Sequence, residues 1–477
     1  MDTSNKVREY TKKLSEIGQE HIFDFYSELS EADQEAFLRQ IETIDFSEVK
    51  SQIDRLVLAN EKDADFHWDA LKPADYIPLP ENGGDFALWE QAKATGEKAI
   101  KEGRVAAFTV AGGQGTRLGY DGPKGTFSVT SHSDKSLFEV FANKIARASE
   151  RYGVLIPWFI MTSEINHQAT IEAFEANEYF GMPKESLFFF SQALFPAVDL
   201  DGKMLLEEKG QLVMTPNGHG GSLRALVESG AIEKMRSEGI DVLSYFQVDN
   251  PLVPCIDPAF IGFHVLNQSE LSSKMIPKAY PLEKVGMFCK YERQNLVVEY
   301  SDMPDAMQEL SDEEGGILFR SGSVAIHLFD REFIERVGSP SSEDKLPYHK
   351  ALKKIPFINK SGVKESPKNP NGVKFEMFVF DALSKAKNPV IIEGLRNDNF
   401  SPVKNAEGVD SPETCRNDQL KQAIRWLSAT GIDFEGNVAK DFTFEINYRF
   451  AMDKDDFINQ WVSFDNKPII ESGTIIE

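Results

Sequence analysis

Cysteines, basic residues and long apolar runs are all scarce in this sequence. Its 477 residues include three cysteines, Cys255, Cys289 and Cys415, and no C-x-x-C pair. This argues against a zinc site or a disulfide framework and favours a reducing cytoplasm. The longest apolar run, at 153–161, is about half the length that spans a bilayer. Met1–Lys6 lacks the apolar core of a signal peptide, so we expect a cytoplasmic protein that does not bind membranes.

Acidic residues outnumber basic ones across the whole chain. There are 76 aspartates and glutamates against 52 lysines and arginines, which gives a formal net charge of −24. Proteins that bind nucleic acids or anionic membranes need a basic face, so both classes of partner are disfavoured. A small phosphorylated substrate is still allowed, because a few local cations can reverse the potential inside a cleft. The composition does not indicate an oligomeric state.

One glycine-rich segment is the strongest local signal. The apolar run Val105–Ala111 predicts a buried strand of a parallel sheet. Glycine lets a ligand approach the backbone closely, and successive backbone N–H groups can form an anion cradle. Two cations, Arg117 and Lys124, follow within the same segment, so the pattern suits a triphosphate. The strand is followed by four glycines, Gly112, Gly113, Gly115 and Gly119.

Neither of the two common phosphate motifs matches this segment. The phosphate loop G-x-x-x-x-G-K-[ST] fails because Pro123 precedes Lys124, and the dinucleotide fingerprint G-x-G-x-x-G fails because Leu118 stands at its third glycine. The pattern G-G-x-G-T-R-L-G followed by P-K resembles the nucleotidyltransferases that join a nucleoside triphosphate to a sugar 1-phosphate. Within these it resembles the UDP-N-acetylglucosamine and UDP-sugar pyrophosphorylase family. A tight turn with two solvated cations is the plain structural alternative.

The rest of the chain predicts an α/β fold with three regions. Residues 1–103 read as helical, with Ser30 capping a helix, and 391–477 as a small α+β region with a helix that begins at Ser411 and ends near Gly431. Between them, 104–390 predicts a Rossmann-like, mixed but mostly parallel central sheet flanked by helices. We expect strands at 105–111, 154–161, 187–190 and 242–248, and helices at 164–177 and 225–237.

Polar residues follow several of the predicted strands. In open parallel sheets, ligands bind beyond the carboxyl ends of the strands, so these residues should meet at one edge. Asp249 directly follows an apolar strand, where one carboxylate can hold Mg²⁺, or Mn²⁺, together with phosphate oxygens. An aspartate that forms a turn before Pro251 is the alternative. The polar clusters are Gly112–Lys124, Thr162–Ser163, Gln192 and Asp249–Asn250.

The resemblance implies a reaction and a set of residues for it. UTP and a sugar 1-phosphate, most simply N-acetylglucosamine 1-phosphate, would give UDP-sugar and pyrophosphate. Arg117, Lys124 and Lys404 would be the catalytic cations, and Asp249 would hold the metal. The residues implied at the nucleotide are Ala111, Gly112, Gly113, Gly115, Thr116, Gln192, Gly218 and Asp249.

The sugar side is where the sequence departs from the family pattern. His219 replaces an asparagine that is usual in many UDP-N-acetylglucosamine enzymes, and its G-H-G setting is more like UDP-glucose pyrophosphorylases. Ser323 ends a segment that often ends in asparagine. The residues that the resemblance implies at the sugar are His219, Gly286, Glu299, Ser323, Phe378 and Phe380.

Three alternative functions stay open at this level. A UDP-glucose or broad-specificity UDP-sugar pyrophosphorylase is favoured by His219 and Ser323. An NAD(P)-dependent oxidoreductase would use Gly113-x-Gly115 and a ribose-binding acid about twenty residues later, for which Asp134 has nearly the right spacing. A non-catalytic UDP-sugar sensor is the third, although it would not need Lys124 and Lys404.

Overall fold

The structure, a computed structural model, describes residues 3–59, 66–432, 442–465 and 467–477. The helices are α1 Thr3–Glu16, α2 Glu31–Glu42, α3 Phe46–Gln52, α4 Phe86–Lys101, α5 Leu137–Tyr152, α6 His167–Ala176, α7 Gly221–Glu228, α8 Ala231–Ser237, α9 Pro258–Leu266, α10 Asp305–Gln308, α11 Arg331–Gly338, α12 Arg396–Asn399, α13 Pro412–Ser428 and α14 Lys454–Ser463. Among the helices that the structure describes, none combines the length and apolar character that a membrane span requires.

Most of the described strands outside the central sheet have only two or three residues. They are β1 Leu71–Pro73, β2 Val105–Val110, β3 Trp158–Thr162, β4 Leu187–Ser191, β5 Leu194–Pro196, β6 Val198–Asp199, β7 Leu206–Glu208, β8 Gln211–Leu212, β9 Met214–Pro216, β10 Val242–Gln247, β11 Leu271–Pro277, β12 Gly286–Tyr291, β13 Gln294–Val298, β14 Ser321–Asp330, β15 His349–Lys353, β16 Phe357–Ile358, β17 Lys364–Glu365, β18 Gly372–Glu376, β19 Val390–Glu393, β20 Glu445–Ile446 and β21 Ile475–Ile476.

The chain divides into two compact units, and each is built from separate stretches of sequence. The first unit contains Met1–Asp69, Gln192–Gly221 and Leu346–Val379, and the second contains the remaining stretches, Ala70–Ser191, Ser222–Lys345 and Phe380–Glu477. These limits do not coincide with the predicted boundaries at 103/104 and 390/391. Strands β1 and β19 fall at or beyond those boundaries, yet both pair within the central sheet.

The second unit contains the ten-stranded central sheet. Its strands follow the order β1-β12-β14-β10-β2-β3-β4, with β11 pairing to β14 and β19, and β13 pairing to β12. Strands β10, β2, β3 and β4 are parallel, whereas β14 joins β10, β11 and β12 in antiparallel pairs. The predicted α/β class, with a mixed sheet flanked by helices, is confirmed.

The parallel strands are buried on both faces, as their apolar composition predicts. On one face, the Phe141 ring of α5 lies 5.1 Å from the Phe246 ring, and Trp158 donates a 2.8 Å hydrogen bond to Thr109. On the other face, the Phe108 ring lies 5.5 Å from the Tyr245 ring. Continuous apolar strands of this kind require helices or loops on each side of the sheet.

Several element limits differ from the sequence prediction for local reasons. Strand β3 begins at Trp158 rather than at 154, because Pro157 has no N–H to donate to the ladder. The helix predicted at 164–177 begins at His167. The helix predicted at 225–237 is two helices, α7 and α8, which are separated at Gly230, whose φ is +83°. The cap predicted at Gly431 is wrong, since α13 ends at Ser428 and Ala429 is its C-cap.

The first unit is smaller and combines helices with short sheets. Ser30 caps α2 by accepting from the Asp33 N–H, as predicted. Strand β18 lies between β15 and β6, and β5 pairs with β9. The Gln19 side chain joins two distant stretches of this unit, because it donates to the Gly202 carbonyl at 2.7 Å and accepts from the Met204 N–H at 2.8 Å.

Two glycines allow α4 and α9 to pack closely in the second unit. A Cβ added at Gly96 of α4 would lie 1.8 Å from the Pro258 carbonyl oxygen, and one added at Gly262 of α9 would lie 1.6 Å from the Ala92 carbonyl oxygen. Both obstacles are backbone atoms, which cannot rotate away. The two helices therefore pack at this distance only because both positions lack a side chain.

We predict that Gly262→Ala destabilises the protein by about 3 kcal/mol, the upper range for overpacking a close contact. Thermal unfolding followed by circular dichroism should show a midpoint lower by about 3–4 °C. Ala94→Val is the matched control, because it adds volume at an exposed position of α4 and should cost less than about 0.7 kcal/mol. Equal midpoints for the two variants would contradict this packing argument.

Candidate active site

The glycine-rich turn begins where β2 ends, and two buried side chains support it. Asn166, which is fully buried, donates to the Ala111 carbonyl at 2.9 Å and to the Gly113 carbonyl at 3.2 Å. The Ser163 hydroxyl donates to the Gly112 carbonyl at 2.9 Å. Ser163 was predicted at this edge, but Asn166 was not, because an asparagine three residues into a helix pattern gives no separate signal.

The turn leaves several of its N–H groups unpaired. Gly115 N–H donates to the Gly122 carbonyl at 3.0 Å, and Lys124 N–H donates to the Gly113 carbonyl at 3.1 Å, so the segment closes on itself. Within the described parts of the chain, the remaining turn amides donate to no protein acceptor. A Cβ added at Gly113 would meet no atom within 4 Å. Unpaired N–H groups beside open space are what an anion requires. The unpaired amides belong to Gly112, Gly113, Gln114 and Thr116.

Lys124 and Asp249 meet at the carboxyl ends of two neighbouring parallel strands. The Lys124 Nζ lies 3.4 Å from the Asp249 Oδ2, and the two side chains are 16% and 13% exposed. Lys124 follows the turn after β2, and Asp249 follows β10, which pairs with β2 in register from Val242 opposite Val105 to Gln247 opposite Val110. The sheet therefore brings together two residues that are 125 positions apart in sequence.

The segment that carries Lys404 is bound to the Asp249 turn. Val403 N–H donates to the Asp249 carbonyl at 2.8 Å. Asn250 completes the junction, since its side chain donates to the Asn399 carbonyl at 2.7 Å and accepts from the Ser401 N–H at 3.0 Å. The structure thus places Lys404 one residue from a direct partner of Asp249.

The Lys404 side chain is partly exposed and faces a carboxylate that the sequence analysis missed. Its Nζ lies 3.9 Å from the Asp410 Oδ2, and its N–H donates to the Asp410 carbonyl at 2.7 Å. Burial raises the pKa of the Asp410 carboxyl, while Lys404 opposes that shift and Asp249 adds to it. Arg117 lies on the exposed 3-10 turn Thr116–Leu118, and within the described residues it forms no ion pair.

Three residues that were predicted at the sugar lie together in the second unit. Gly286 of β12 is the register partner of Ser323 in β14. A Cβ added at Gly286 would lie 3.0 Å from the Glu299 Oε1, so Glu299 lies directly beside the glycine. Phe380, also predicted at the sugar, belongs to the second unit and is half-buried.

The other predicted contacts lie in the first unit. Gln192 is buried and donates to the Asn217 side chain at 2.9 Å and to the Gly218 carbonyl at 2.6 Å. Gly218 has φ of +82°, and an added Cβ would lie 2.4 Å from the Met377 carbonyl oxygen. Position 218 therefore requires glycine for two independent reasons.

His219 forms part of an aromatic stack in the first unit. Its Nδ1 accepts from the Val379 N–H at 3.2 Å, which leaves the ring proton on Nε2 in the neutral form. Burial lowers the pKa of His219 to about 4, so the ring is neutral at pH 7. The Phe378 ring lies 5.6 Å from His219 and 4.8 Å from His349. The sequence analysis did not identify His349.

The described side chains do not form a metal site with three or more protein ligands. No group of three or more His, Cys, Asp or Glu side chains in the described ranges could hold a metal ion. A carboxylate such as that of Asp249 fits Mg²⁺, which takes one or two carboxylates and completes its coordination with phosphate oxygens and water.

The residues of the predicted dinucleotide alternative do not assemble. A ribose-binding acid should follow the strand that neighbours the glycine turn. Asp134 does not follow that strand, β3 Trp158–Thr162, but lies in an exposed loop before α5 with φ of 52°. The hypothesis of an NAD(P)-dependent oxidoreductase is therefore not supported by this site.

Comparisons with known proteins agree with the geometry. Residues 46–409 match the UTP–glucose-1-phosphate uridylyltransferase family. The chain is 37% identical to "UDP-N-acetylhexosamine pyrophosphorylase-like protein 1" of Xenopus tropicalis, with 91% of this chain and 87% of that protein covered. It is 34% identical to UDP-N-acetylglucosamine pyrophosphorylase of Saccharomyces cerevisiae, with coverage of 92% and 95%.

A solved structure shows the same fold over nearly the entire chain. The uridine diphosphate N-acetylglucosamine pyrophosphorylase of Trypanosoma brucei, solved in complex with an inhibitor, superposes with a TM-score of 0.82 at 26% identity. The match covers 99% of this chain and 98% of that chain.

We predict that Asn166→Ala loosens the glycine turn, because the buried Ala111 carbonyl loses its donor at roughly 1–3 kcal/mol and the Gly113 carbonyl keeps only the Lys124 N–H. Hydrogen–deuterium exchange should rise in peptides that span 111–124. Asn177→Ala is the control, since the Asn177 side chain donates only within α6, to the Ala173 carbonyl at 2.7 Å. Unchanged exchange at 111–124 in Asn166→Ala would show that the turn does not depend on this support.

Proposed function

Since the chain belongs to the UTP–glucose-1-phosphate uridylyltransferase family, we propose that it is a nucleotidyltransferase that joins UTP and N-acetylglucosamine 1-phosphate to give UDP-N-acetylglucosamine and pyrophosphate. One observation carries the proposal. Lys124 and Asp249 meet at the ends of β2 and β10, beside a turn with unpaired amides and next to the segment that carries Lys404.

The reaction requires stabilisation of negative charge on the phosphates more than it requires a general base. An oxygen of the sugar phosphate is already an anion, and it attacks the α-phosphorus of UTP. The bond between the α-phosphorus and the bridging oxygen breaks, and pyrophosphate leaves with that electron pair. The barrier arises because two anions must approach each other, so catalysis consists of positioning and electrostatic stabilisation.

The residues of the second unit suit these roles. The unpaired amides of Gly112 and Gly113 would bind phosphate oxygens, and Lys124 would neutralise charge that develops on the leaving pyrophosphate. Arg117, on its exposed turn, would add a second cation to the β- and γ-phosphates. Lys404 would neutralise the sugar phosphate on the attacking side.

We propose Asp249 as the protein ligand of Mg²⁺ or Mn²⁺. When bound, such an ion supplies charge neutralisation and orients phosphate oxygens. Asp249 itself holds the Lys124 ammonium at 3.4 Å, and its backbone is fixed by Val403. The carboxylate therefore has a defined place at the edge of the sheet.

We propose N-acetylglucosamine 1-phosphate as the preferred sugar, because similar proteins are named for N-acetylhexosamine or N-acetylglucosamine. A UDP-glucose or broader UDP-sugar pyrophosphorylase is the second candidate, because His219 and Ser323 stand where many N-acetylglucosamine enzymes have asparagine.

We further propose a cytoplasmic location. The three cysteines are free and buried, and burial raises the pKa of each thiol to about 12.

We predict that Lys124→Met lowers kcat for pyrophosphate release by roughly 10²-fold or more, because a preorganised charge is lost from the transition state. The control is Lys135→Met, which removes a partly buried lysine of the same segment whose partner is Glu139 at 2.5 Å. Steady-state rates with UTP, Mg²⁺ and the sugar 1-phosphate test the difference. Near-normal turnover of Lys124→Met would remove the role assigned to this ammonium.

We predict that the protein turns over N-acetylglucosamine 1-phosphate faster than glucose 1-phosphate. In His219→Asn the ratio of the two kcat/KM values should increase by about tenfold, which corresponds to about one hydrogen bond. A panel of sugar 1-phosphates assayed with both proteins provides the measurement. A higher kcat/KM for glucose 1-phosphate in the unmodified protein would favour the second candidate.

A further inference from the structure

Lys144 is a buried lysine that contacts the turn directly after Asp249. Its side chain extends from α5, and the residue is 3% exposed. The Nζ donates to the Pro251 carbonyl at 2.5 Å and to the Val253 carbonyl at 3.0 Å. It also lies 4.1 Å from the centre of the Tyr448 ring. The ammonium thus binds two carbonyls of one tight turn from its buried side.

This arrangement is a poor means of stabilising the fold alone. Within the described residues, no carboxylate lies within 4 Å of the Lys144 ammonium, so its direct partners are two carbonyls and an aromatic face, with Asp398 acting from farther away. Burial lowers the pKa of Lys144 to about 8, which reflects this desolvation. A buried charge without an ion pair is costly, so its stabilising effect is confined to the two buried carbonyls of the turn, which need a donor.

Hydrogen bonds of the turn 250–253 connect the Lys144 ammonium to the segment around Asp249. Val253 N–H donates to the Asn250 carbonyl at 3.2 Å, which closes the turn, and the Asn250 side chain binds Asn399 and Ser401. Asp249 immediately precedes this turn. Its carboxylate faces Lys124, and its backbone position depends on how the turn is held.

We propose that Lys144 is a positioning residue of the active site, which fixes the turn 250–253 and thereby the carboxylate of Asp249. This inference rests on the proposed uridylyltransferase function. Lys144 does not touch the substrates in this proposal. It acts through the two carbonyls, so its loss should reduce turnover in protein that remains folded.

A cavity beside Lys144 makes a rescue experiment feasible. The cavity has a volume of about 390 Å³, and its lining extends from Lys144 and Tyr448 to Phe86, which is 67% exposed. A small alkylammonium ion can therefore reach the space that Lys144→Ala would create. Propylammonium matches the missing atoms from Cγ to Nζ, and propan-1-ol has the same length without the charge.

We predict that Lys144→Ala and Lys144→Met each lower kcat by about 10- to 100-fold, the size expected when reacting groups are displaced by about 1 Å. Propylammonium should restore kcat of Lys144→Ala several-fold, and propan-1-ol should not. Arg147→Met is the stability control, because Arg147 lies three residues along α5 and pairs with Asp456 at 2.8 Å, away from the turn. Near-UV circular dichroism and thermal midpoints establish that each variant is folded.

The outcomes separate this inference from the function on which it rests. If the unmodified protein shows no pyrophosphate release with any sugar 1-phosphate, the proposed function fails. If it is active, a folded Lys144→Met with normal kcat overturns the positioning role. An equal loss of kcat in Arg147→Met also overturns the positioning role. The same holds if propan-1-ol restores kcat of Lys144→Ala as well as propylammonium does, or if propylammonium does not restore it. Lys144→Met keeps the test decisive if Lys144→Ala does not fold.

Discussion

The pairing of β2 with β10 is the constraint on which the site depends. These parallel strands run in register over six residues, so the glycine turn after one and Asp249 after the other emerge at the same edge. Neither segment could assemble the site alone, because the turn supplies N–H groups and a lysine, and the other strand supplies the carboxylate. An open α/β sheet gives this arrangement at the carboxyl ends of its strands.

Behind this edge, buried polar side chains hold the backbone in place. Asn166 and Ser163 bind the carbonyls of the glycine turn, and Asn250 joins the Asp249 turn to the Lys404 segment. Such groups are costly to bury unless they are hydrogen-bonded. Here they are, so buried hydrogen bonds fix the backbone of the loops that would contact the substrates. Charge stabilisation needs this rigidity, because a preorganised site does not reorganise during reaction.

Acidic residues dominate the chain, yet the proposed chemistry concerns anions. The net charge of −24 is compatible with this because only local charges and dipoles act at short range within a shielded site. Lys124 lies close to the Asp249 carboxylate, and Lys404 lies close to the Asp410 carboxylate. These carboxylates keep the cations in place.

How much could be predicted differs between the fold and the site. The α/β class, the strand before the glycine turn and the helix caps at Ser30 and Ser411 follow from local patterns, because hydrogen bonding and side-chain periodicity act over a few residues. The sequence also identified Lys124, Asp249 and Lys404 through motifs, although no local rule relates their positions to one another.

Tertiary structure alone decided which distant residues meet. The two units are each built from separated stretches, a division that no local pattern in the sequence indicates. Asn166, Asp410, His349 and Lys144 gave no motif, because their importance comes from carbonyls, carboxylates and rings that other segments bring to them. Composition and short-range pattern thus determined the kind of fold and the type of chemistry. The partners of each buried polar group were set by long-range pairing, since burial makes a hydrogen bond necessary but does not specify which distant residue provides it.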